Sequence, residues 1–372
     1  MFHVRARSHF HNLLEDIRKR KHLAEFRRFY ESLSDRRDIF YIFFSSGLLH
    51  WVNEALSLIP VDINVALVGS NVSEVEEGWL RQNVNRPFHN IRVDIDDKTL
   101  WEFLFKTNLH NFGWIDADCF VLNPDVLREI KVVADDDAIN CVWYYSLGSD
   151  LEILRTHLLF INADVIRILN QKGLPTLPCT YNYEGTNEGR HLLNARSKIP
   201  NRKHTELLRK MMPTNDRNRP LYPSFEDGRG QFVSEGCFDT LILYQLTANS
   251  LGYRLRKIRD LNVDRPENWT TDELIHVGSI SYYKRFKFST DLHSQRIYRM
   301  VSQVEFLLLH KAVSLPESYH SMRGELEVDL ERIGISADAL KKQYSDSIAS
   351  GRGKHIVLDL IRELNQDIFN QA

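Results

Sequence analysis

Between residues 38 and 115, short continuous apolar runs alternate with stretches in which apolar residues recur every three or four positions. Short continuous apolar runs are typical of strands covered on both faces of a sheet, whereas spacings of three and four residues are typical of helices. Strands are predicted at Ile39–Phe44, Ile63–Val68, Asn90–Val93 and Phe112–Ile115, and helices at Leu48–Ile59, directly after Ser73, and at Thr99–Leu109. This βαβαβαβ order predicts an α/β fold, with a mainly parallel (mixed) central sheet flanked by helices and right-handed crossovers.

Further elements are predicted beyond this series. Glu76 lies three residues after Ser73, which predicts a capping box at the start of the second helix. Strands are predicted at Ile139–Tyr145 and at His157–Ile161, the latter running on into Asn162, and a helix at Thr240–Ser250. Between residues 170 and 232, six prolines and several polar turns interrupt any period. Because long irregular regions inside a domain are usually functional or mobile, we expect this one to shape an acceptor pocket or form a lid.

Both ends of the chain have helical spacing. Residues 8–34 are predicted to form one amphipathic helix, and residues 1–37 carry ten Lys/Arg against five Asp/Glu. Such a helix could lie on an anionic membrane, but we favour its capping the main domain or pairing with a second subunit. Helices are also predicted at Leu292–Lys311, Glu325–Gly334, Ala337–Ser347 and His355–Phe369. The predicted organisation is therefore an amino-terminal helical segment (1–37), a main domain (38–290) and a helical extension (291–372) that serves packing or oligomer contacts.

Composition excludes several classes of protein. A net charge of −2 gives no reason to expect nucleic acid as a partner. The four cysteines include no Cys-x-x-Cys pair, so neither a zinc site nor a disulfide framework is indicated. No run approaches membrane-spanning length and the amino terminus lacks the apolar core of a signal peptide, so we expect a cytoplasmic protein, with peripheral membrane contact as the alternative.

The strongest chemical signal is the sequence Trp-Ile-Asp-Ala-Asp-Cys-Phe-Val-Leu-Asn-Pro, in which a buried strand ends in Asp116 and Asp118. Alternate residues of an extended chain share a face, so the two carboxylates are predicted to converge on one ion. Carboxylates in such a place need a cation, a ligand or hydrogen-bond donors to offset desolvation. Oxygen donors suit a hard ion such as Mg²⁺ or Mn²⁺.

Several polar residues are expected at the same edge of the sheet. Ser45, Ser70, Asp94 and Asp116 all follow predicted strands, and ligands of parallel sheets bind beyond the carboxyl ends of the strands. The chain has no Gly-x-Gly-x-x-Gly and no Gly-Lys-Ser/Thr loop, so neither a dinucleotide site nor a P-loop is supported.

Two later segments add candidate groups. His276 precedes Gly278, which allows close approach of the backbone to a ligand, and Lys284 opens a basic cluster suited to a phosphate. The alternatives are a core histidine and a solvated basic turn. Glu235 and Asp239 are four residues apart and share one helical face, although a carboxylate at a helix start also simply complements the helix dipole.

Over residues 38–290, this order of motifs resembles nucleotide-sugar-dependent glycosyltransferases of the GT-A fold. The resemblance rests on the Asp-x-Asp strand, the later Leu-Phe-Ile-Asn-Ala-Asp, Ser-Glu-Gly-Cys-Phe-Asp ahead of Leu-Gly-Tyr-Arg-Leu, and His-Val-Gly-Ser with a downstream lysine. It implies that Asp118 binds the metal, that Asp116 binds the metal or the donor ribose, and that His276 is the third protein ligand. The remaining implied nucleotide-sugar contacts are Lys284 at the diphosphate, Ser45 and Ser46 at the base or ribose, and Ser70, Asp94, Lys106 and Asn162 around them.

The resemblance also implies a reaction. A hexosyl group would pass from a nucleoside diphosphate sugar, with a UDP-sugar favoured, to a hydroxyl of a saccharide or another acceptor, with Mn²⁺ or Mg²⁺ as cofactor. Glu235 resembles the catalytic carboxylate of inverting members, but Gly236 follows it where those members have Asp, so Asp239 is the substitute candidate. The His-x-Gly…Lys ending is similar to retaining members instead, which leaves both stereochemical outcomes open.

Two other functions compete with this hypothesis. A nucleotidyltransferase on a similar sheet would bind a nucleoside triphosphate, and the lack of a glycine-rich phosphate loop counts against it. A non-catalytic nucleotide-sugar-binding or scaffold protein would use the helical ends for contacts, and the intact Asp116, Asp118 and His276 count against it.

Overall fold

The computed structural model describes residues 18–147, 151–174, 176, 181–182, 225–226, 232–233, 237–238, 240–312, 314–350 and 356–370. Its centre is a mixed sheet with helices on both faces, which confirms the predicted fold class. The strands of this sheet are β1 (Ile39–Ser45), β2 (Val65–Ser70), β3 (Phe88–Ile91), β4 (Phe112–Asp116), β6 (Asp137–Leu147), β7 (Leu151–Leu154), β8 (Leu158–Ile161) and β13 (Arg254–Asn262). The remaining short strands are β5 (Cys119–Val121), β9 (Tyr181–Asn182), β10 (Phe225–Glu226), β11 (Phe232–Val233), β12 (Cys237–Phe238) and β14 (Leu274–His276).

The strand order is β13-β6-β8-β4-β1-β2-β3, with β7 paired to β6. Strands β3, β2, β1 and β4 are mutually parallel, as predicted. Strand β8 runs antiparallel to both of its neighbours, β4 and β6, so its amino end lies at the edge where β4 ends. The direction of β8 decides which polar residues reach the candidate site.

The helices among the described residues are α1 (18–32), α2 (Leu49–Ser57), α3 (Glu74–Asn83), α4 (Asp97–Thr107), α5 (Asp125–Ile130), α6 (Ala163–Gln171), α7 (Ile242–Ser250), α8 (Leu292–Lys311), α9 (Glu317–Arg332), α10 (Ala337–Ala349) and α11 (Ile356–Asn370). Most of these helices have bounds close to those predicted from the sequence. Helix α9 starts earlier than predicted, because it begins directly after Pro316, in a polar stretch that has no apolar period. None of the helices in the described part of the chain has the length and apolarity needed to cross a membrane.

Alternate side chains of β1 lie in two different cores. Phe40 and Ile42 pack with α2 and with the carboxyl-terminal helices on one face of the sheet. Ile39 and Tyr41 pack on the other face with α4 and with α1, which contributes the buried Phe26. The described part of the amino-terminal helix therefore packs on the sheet, which is one of the two roles we favoured. The carboxyl-terminal helices share one hydrophobic core with the sheet.

The predicted capping box at the start of α3 is present. Ser73 Oγ accepts a hydrogen bond from the Glu76 backbone N–H, and the Glu76 side chain accepts one from the Ser73 backbone N–H. Glu76 is buried and also accepts hydrogen bonds from Ser46 Oγ (2.5 Å), the Gly47 backbone N–H (2.7 Å) and the Tyr319 hydroxyl (2.5 Å). One carboxylate thus ties the turn after β1 to α3 and to α9.

Gly113 in β4 is a position where a single methyl group is expected to destabilise the fold. A Cβ there would lie 2.3 Å from Phe40 Cδ1 and 2.8 Å from Phe160 Cδ2, so it would clash with two buried rings. Overpacking of this kind costs roughly 1–3 kcal/mol, so we expect Gly113→Ala to lower the midpoint of chemical denaturation. Gly78→Ala is the control, because no heavy atom lies within 4 Å of its Cβ position, and in a helix interior this change stabilises by about 0.5–1 kcal/mol. Equal shifts for the two variants would contradict the packing at Gly113.

Candidate functional site

The carboxyl ends of the parallel strands meet at one edge of the sheet. Ser45 of β1 is in register with Ser70 of β2, and Asp116 of β4 is in register with Phe43. Asp94 follows β3 at the same edge and is exposed. The predicted gathering of Ser45, Ser70, Asp94 and Asp116 at one edge is confirmed.

Asp116 lies at the centre of a group of aromatic and imidazole side chains. The Trp114 indole N–H donates a 2.6 Å hydrogen bond to Asp116 Oδ1. Asp116 Oδ2 lies 3.0 Å from His157 Nδ1 and 3.5 Å from His276 Nε2. The two oxygens of Asp116 therefore have different partners: Oδ1 accepts a hydrogen bond from the indole, and Oδ2 faces two imidazole nitrogens.

Asp118 also lies beside this group, but not because it shares a strand face with Asp116, as was predicted. The chain turns at Ala117 and Asp118, so the two carboxylates do not share the face of one strand. Instead, β5 pairs antiparallel with β14, which places His276 opposite Cys119. Asp118 Oδ1 lies 3.4 Å from His276 Nε2. The two carboxylates thus converge on the His276 ring, which a distant strand supplies.

The two histidines form a stacked pair between tryptophans. The ring centroids of His157 and His276 are 3.7 Å apart, with an angle of 23° between the rings. Trp269 stacks on His276 at 5.2 Å, and Trp143 lies at the edge of both rings. The side chains of His157 and His276 are only 11% and 3% exposed, so the aromatic walls exclude water from the nitrogens that face Asp116.

Mutual interactions set the charge of this group. Burial would raise the pKa of Asp116, but hydrogen bonds and charge from His157 and His276 hold that pKa well below its usual range. Burial and the neighbouring His276 charge lower the pKa of His157. The pKa of His276 is raised, because the Asp118 and Asp116 carboxylates outweigh the opposing effect of burial. The carboxylates therefore attract positive charge to this point.

The donor atoms fit a divalent metal ion. Among the described residues, one donor atom each from Asp116, His157 and His276 lies within 4.8 Å of the other two, and the predicted ligand Asp118 is not in this group. Nitrogen and oxygen ligands bond such ions at about 2.0–2.2 Å, so donors roughly 3–4 Å apart can share one ion. Imidazole and carboxylate groups are both common ligands of divalent transition metals.

Three other predicted residues lie at this edge in structural hydrogen bonds. Ser46 donates to Glu76, as described above. The buried Ser70 hydroxyl donates to the Ile95 carbonyl and accepts from the Ile95 N–H, which holds the loop after β3. Asp94 accepts a 3.1 Å hydrogen bond from the Asn71 side chain. Ser45 is exposed at the end of β1, where a ligand can reach it.

Lys284 lies in the 3-10 helix Tyr283–Phe288, which follows β14. Its side chain is exposed, and Nζ lies 5.8 Å from the centroid of the Tyr283 ring. This position leaves the ammonium group accessible to an anion.

The structure does not bring Lys106 and Asn162 to the cluster. Lys106 is in the last turn of α4, which leads to the amino end of β4, and its Nζ pairs with Glu102 Oε1 at 2.6 Å. Asn162 follows the antiparallel strand β8, whose last residue, Ile161, is in register with Phe112 at the start of β4. Asn162 caps α6 there and donates to the Asp137 carbonyl. Both residues therefore lie at the opposite edge of the sheet, because α4 and β8 both run away from the candidate site.

Two predicted residues, Glu235 and Asp239, lie outside the described residues, as does most of the 170–232 region. Conversely, sequence analysis missed His157. The signal was a histidine directly before the apolar run Leu158–Ile161, but it points to the site only once β8 is known to be antiparallel.

Two comparisons with known proteins bear on the function of this chain. A protein-family model, the StrH glycosyltransferase N-terminal domain, matches residues 16–166. A dTDP-dihydrostreptose–streptidine-6-phosphate dihydrostreptosyltransferase of Streptomyces griseus is 24% identical over 350 residues, which is 87% of this chain and 89% of that protein. These similarities support a glycosyltransferase.

Solved structures are similar only at a distance. The glycosyltransferase GlyE of Streptococcus pneumoniae TIGR4 superposes with a TM-score of 0.27 and 9% identity, over 47% of this chain and 48% of that chain. HddC of Yersinia pseudotuberculosis superposes with a TM-score of 0.26 and 10% identity, over 35% of this chain and 79% of that chain. Similarities this distant do not bear on function.

Proposed function

We propose that this protein is a metal-dependent glycosyltransferase of the GT-A, Asp-x-Asp type, which transfers a sugar from a nucleoside diphosphate sugar to an acceptor hydroxyl. The observation that carries the proposal is the convergence of Asp116, Asp118 and His276 at the carboxyl edge of the sheet, with contacts of 3.4 and 3.5 Å. The matches to the StrH domain and to the Streptomyces griseus enzyme support it.

Different residues would bind the metal, stabilise the diphosphate charge and exclude water. Asp116, Asp118 and His276 would hold Mn²⁺ or Mg²⁺, and such an ion supplies a Lewis acid for the charge that grows on the departing diphosphate. Lys284, exposed beyond β14, adds a second positive charge for the same oxygens. Trp143 and Trp269 keep water away from the histidines, which strengthens electrostatic interactions at this point.

The donor and acceptor ends of the site are assigned less directly. The exposed Ser45 at the end of β1 and Asp94 after β3 are the groups that a nucleoside can reach at this edge. Glu235 and Asp239 stay the candidates for deprotonating the acceptor hydroxyl. The Streptomyces griseus relative is named for a dTDP-sugar, so we place dTDP-sugars beside UDP-sugars as the candidate donors.

The proposal predicts metal-dependent binding of a nucleoside diphosphate. A ligand that binds only the folded state at 100 times its Kd stabilises by about 2.7 kcal/mol. We therefore expect Mn²⁺ together with UDP or dTDP to raise the melting temperature of the full chain, and ADP or GDP to raise it less. The rise on adding ligand should disappear in Asp118→Ala, measured against the melting temperature of that variant without ligand.

The result also discriminates between the competing functions. A rise with one diphosphate identifies the base of the donor, and turnover is then measured as release of that diphosphate from its sugar conjugates. No rise with any diphosphate, with or without Mn²⁺, would contradict the glycosyltransferase and favour the scaffold hypothesis.

A further inference from the structure

His157 contacts Asp116 through both its side chain and its backbone. Its Nδ1 lies 3.0 Å from Asp116 Oδ2, and its backbone carbonyl accepts a 2.9 Å hydrogen bond from the Asp116 N–H. The antiparallel pairing of β8 with β4 thus holds the His157 side chain at Asp116 through the backbone. The residue lies in the same rigid edge of the sheet as the carboxylate it faces.

The directions of the imidazole nitrogens are the second observation. His157 Nδ1 and His276 Nε2 both face the same oxygen, Asp116 Oδ2, at 3.0 and 3.5 Å. The centroids of the two stacked rings are 3.7 Å apart, so the rings approach this oxygen together. An imidazole that binds a metal ion is neutral, and in that state the two rings would present two nitrogen lone pairs beside one carboxylate oxygen. That is the arrangement a shared cation requires.

We propose that His157 is a further ligand of the metal ion, in addition to Asp116, Asp118 and His276, and that the two imidazoles make the site prefer Mn²⁺ over Mg²⁺. The inference rests on the proposed function for the presence of a metal ion, but it concerns the identity of the ligands. Mg²⁺ prefers oxygen ligands and keeps several waters, whereas imidazole favours transition ions. The mutually close set of donors contains one carboxylate and two nitrogens.

The alternative role for His157 is to orient Asp116 by donating a hydrogen bond to it. His157→Asn separates the two roles, because the asparagine amide can still donate to Asp116 but has no nitrogen lone pair. His157→Phe keeps a ring to stack on His276 and removes both functions. His293→Asn is the matched control, since His293 is an exposed histidine of α8.

The test uses Mn²⁺ alone and Mn²⁺ with UDP or dTDP, on the full-length protein. Pulsed electron paramagnetic resonance of bound Mn²⁺ should show nitrogen couplings from two imidazoles in the unaltered protein and in His293→Asn, and from one in His157→Asn. Titration should show Mn²⁺ binding weakened in both His157 variants by more than the roughly 10- to 100-fold that is typical of losing a hydrogen-bond partner of a ligand, and the preference for Mn²⁺ over Mg²⁺ should fall with it.

The outcomes distinguish this inference from the proposed function. Mn²⁺ that binds with one imidazole coupling, unchanged in His157→Asn, would overturn the ligand role and leave the metal-dependent glycosyltransferase in place. Loss of Mn²⁺ affinity in His157→Phe, with the number of imidazole couplings unchanged in His157→Asn, would show that His157 acts only by its hydrogen bond to Asp116. No Mn²⁺ binding by the unaltered protein, with or without nucleotide, would contradict the metal site of the proposed function itself.

Discussion

Replacing Asp116 with asparagine is expected to reduce turnover by at least about 10²- to 10³-fold, the usual cost of removing one group that stabilises charge in a transition state. The asparagine keeps the shape of the side chain, and its carbonyl can still accept the hydrogen bond from Trp114. What is lost is the negative charge that faces His157 and His276 at 3.0 and 3.5 Å. Steady-state rates of diphosphate release at several Mn²⁺ concentrations would measure the effect.

The comparison variant is Asp125→Asn. Asp125 is 76% exposed and pairs only locally with Arg128, so its replacement should leave the rates unchanged. Melting temperatures of both variants show whether the fold survives. If Asp116→Asn turned over substrate at the normal rate and still required Mn²⁺, the metal would lie elsewhere and our assignment of the site would be wrong.

Sequence patterns predicted the strands and the edge of the sheet, because each depends on local information. A buried parallel strand has a continuous apolar run, and the residue that ends it lies at the carboxyl edge. Ser45, Ser70 and Asp116 could be placed in this way. The direction of β8 could not, because its run of four apolar residues, Leu158–Ile161, reads equally well in either direction.

That one ambiguity accounts for two differences at the site. The resemblance assigned Asn162, at the carboxyl end of this strand, to the nucleotide. Because β8 is antiparallel, Asn162 lies at the opposite edge of the sheet and His157, at the amino end of β8, contacts Asp116. The resemblance implied that His276 lies with Asp116 and Asp118, but the pairing of β14 with β5 that brings it there was not predicted, since it joins segments about 155 residues apart. Non-local pairings of this kind carry little signal in a single sequence.

The helical extension was predicted to serve packing or oligomer contacts, and the structure gives the packing role specific contacts. Glu305 of α8 is buried, and its carboxylate lies 3.1 Å from His50 Nε2 and accepts a hydrogen bond from the Tyr283 hydroxyl. Tyr319 of α9 donates to Glu76, which in turn holds the turn after β1. The extension therefore supports the edge of the sheet that carries the candidate site.

Replacing Glu305 with alanine is expected to destabilise the protein by about 3–5 kcal/mol, because it leaves His50 and Tyr283 buried without their partner. This is a large part of the roughly 5–15 kcal/mol that stabilises a typical domain. Burial would raise the pKa of Glu305, but the hydrogen bond and charge of His50, with Lys284 and Tyr283, lower it below 4.5. The stabilisation is therefore complete above that pH and is lost as the pH falls through the lowered native pKa.

Thermal and chemical denaturation near neutral pH measure the lost stability of Glu305→Ala, and a variant in a surface ion pair of the same extension is the control. Lys342 and Asp346 of α10 are 76% and 63% exposed, so Asp346→Ala should change the free energy of unfolding by no more than about 0.5 kcal/mol. The double variant His50→Leu with Glu305→Leu should recover much of the lost stability, since apolar replacement of a buried pair is often neutral. A Glu305→Ala protein as stable as Asp346→Ala would mean that the buried network does not hold the extension to the sheet.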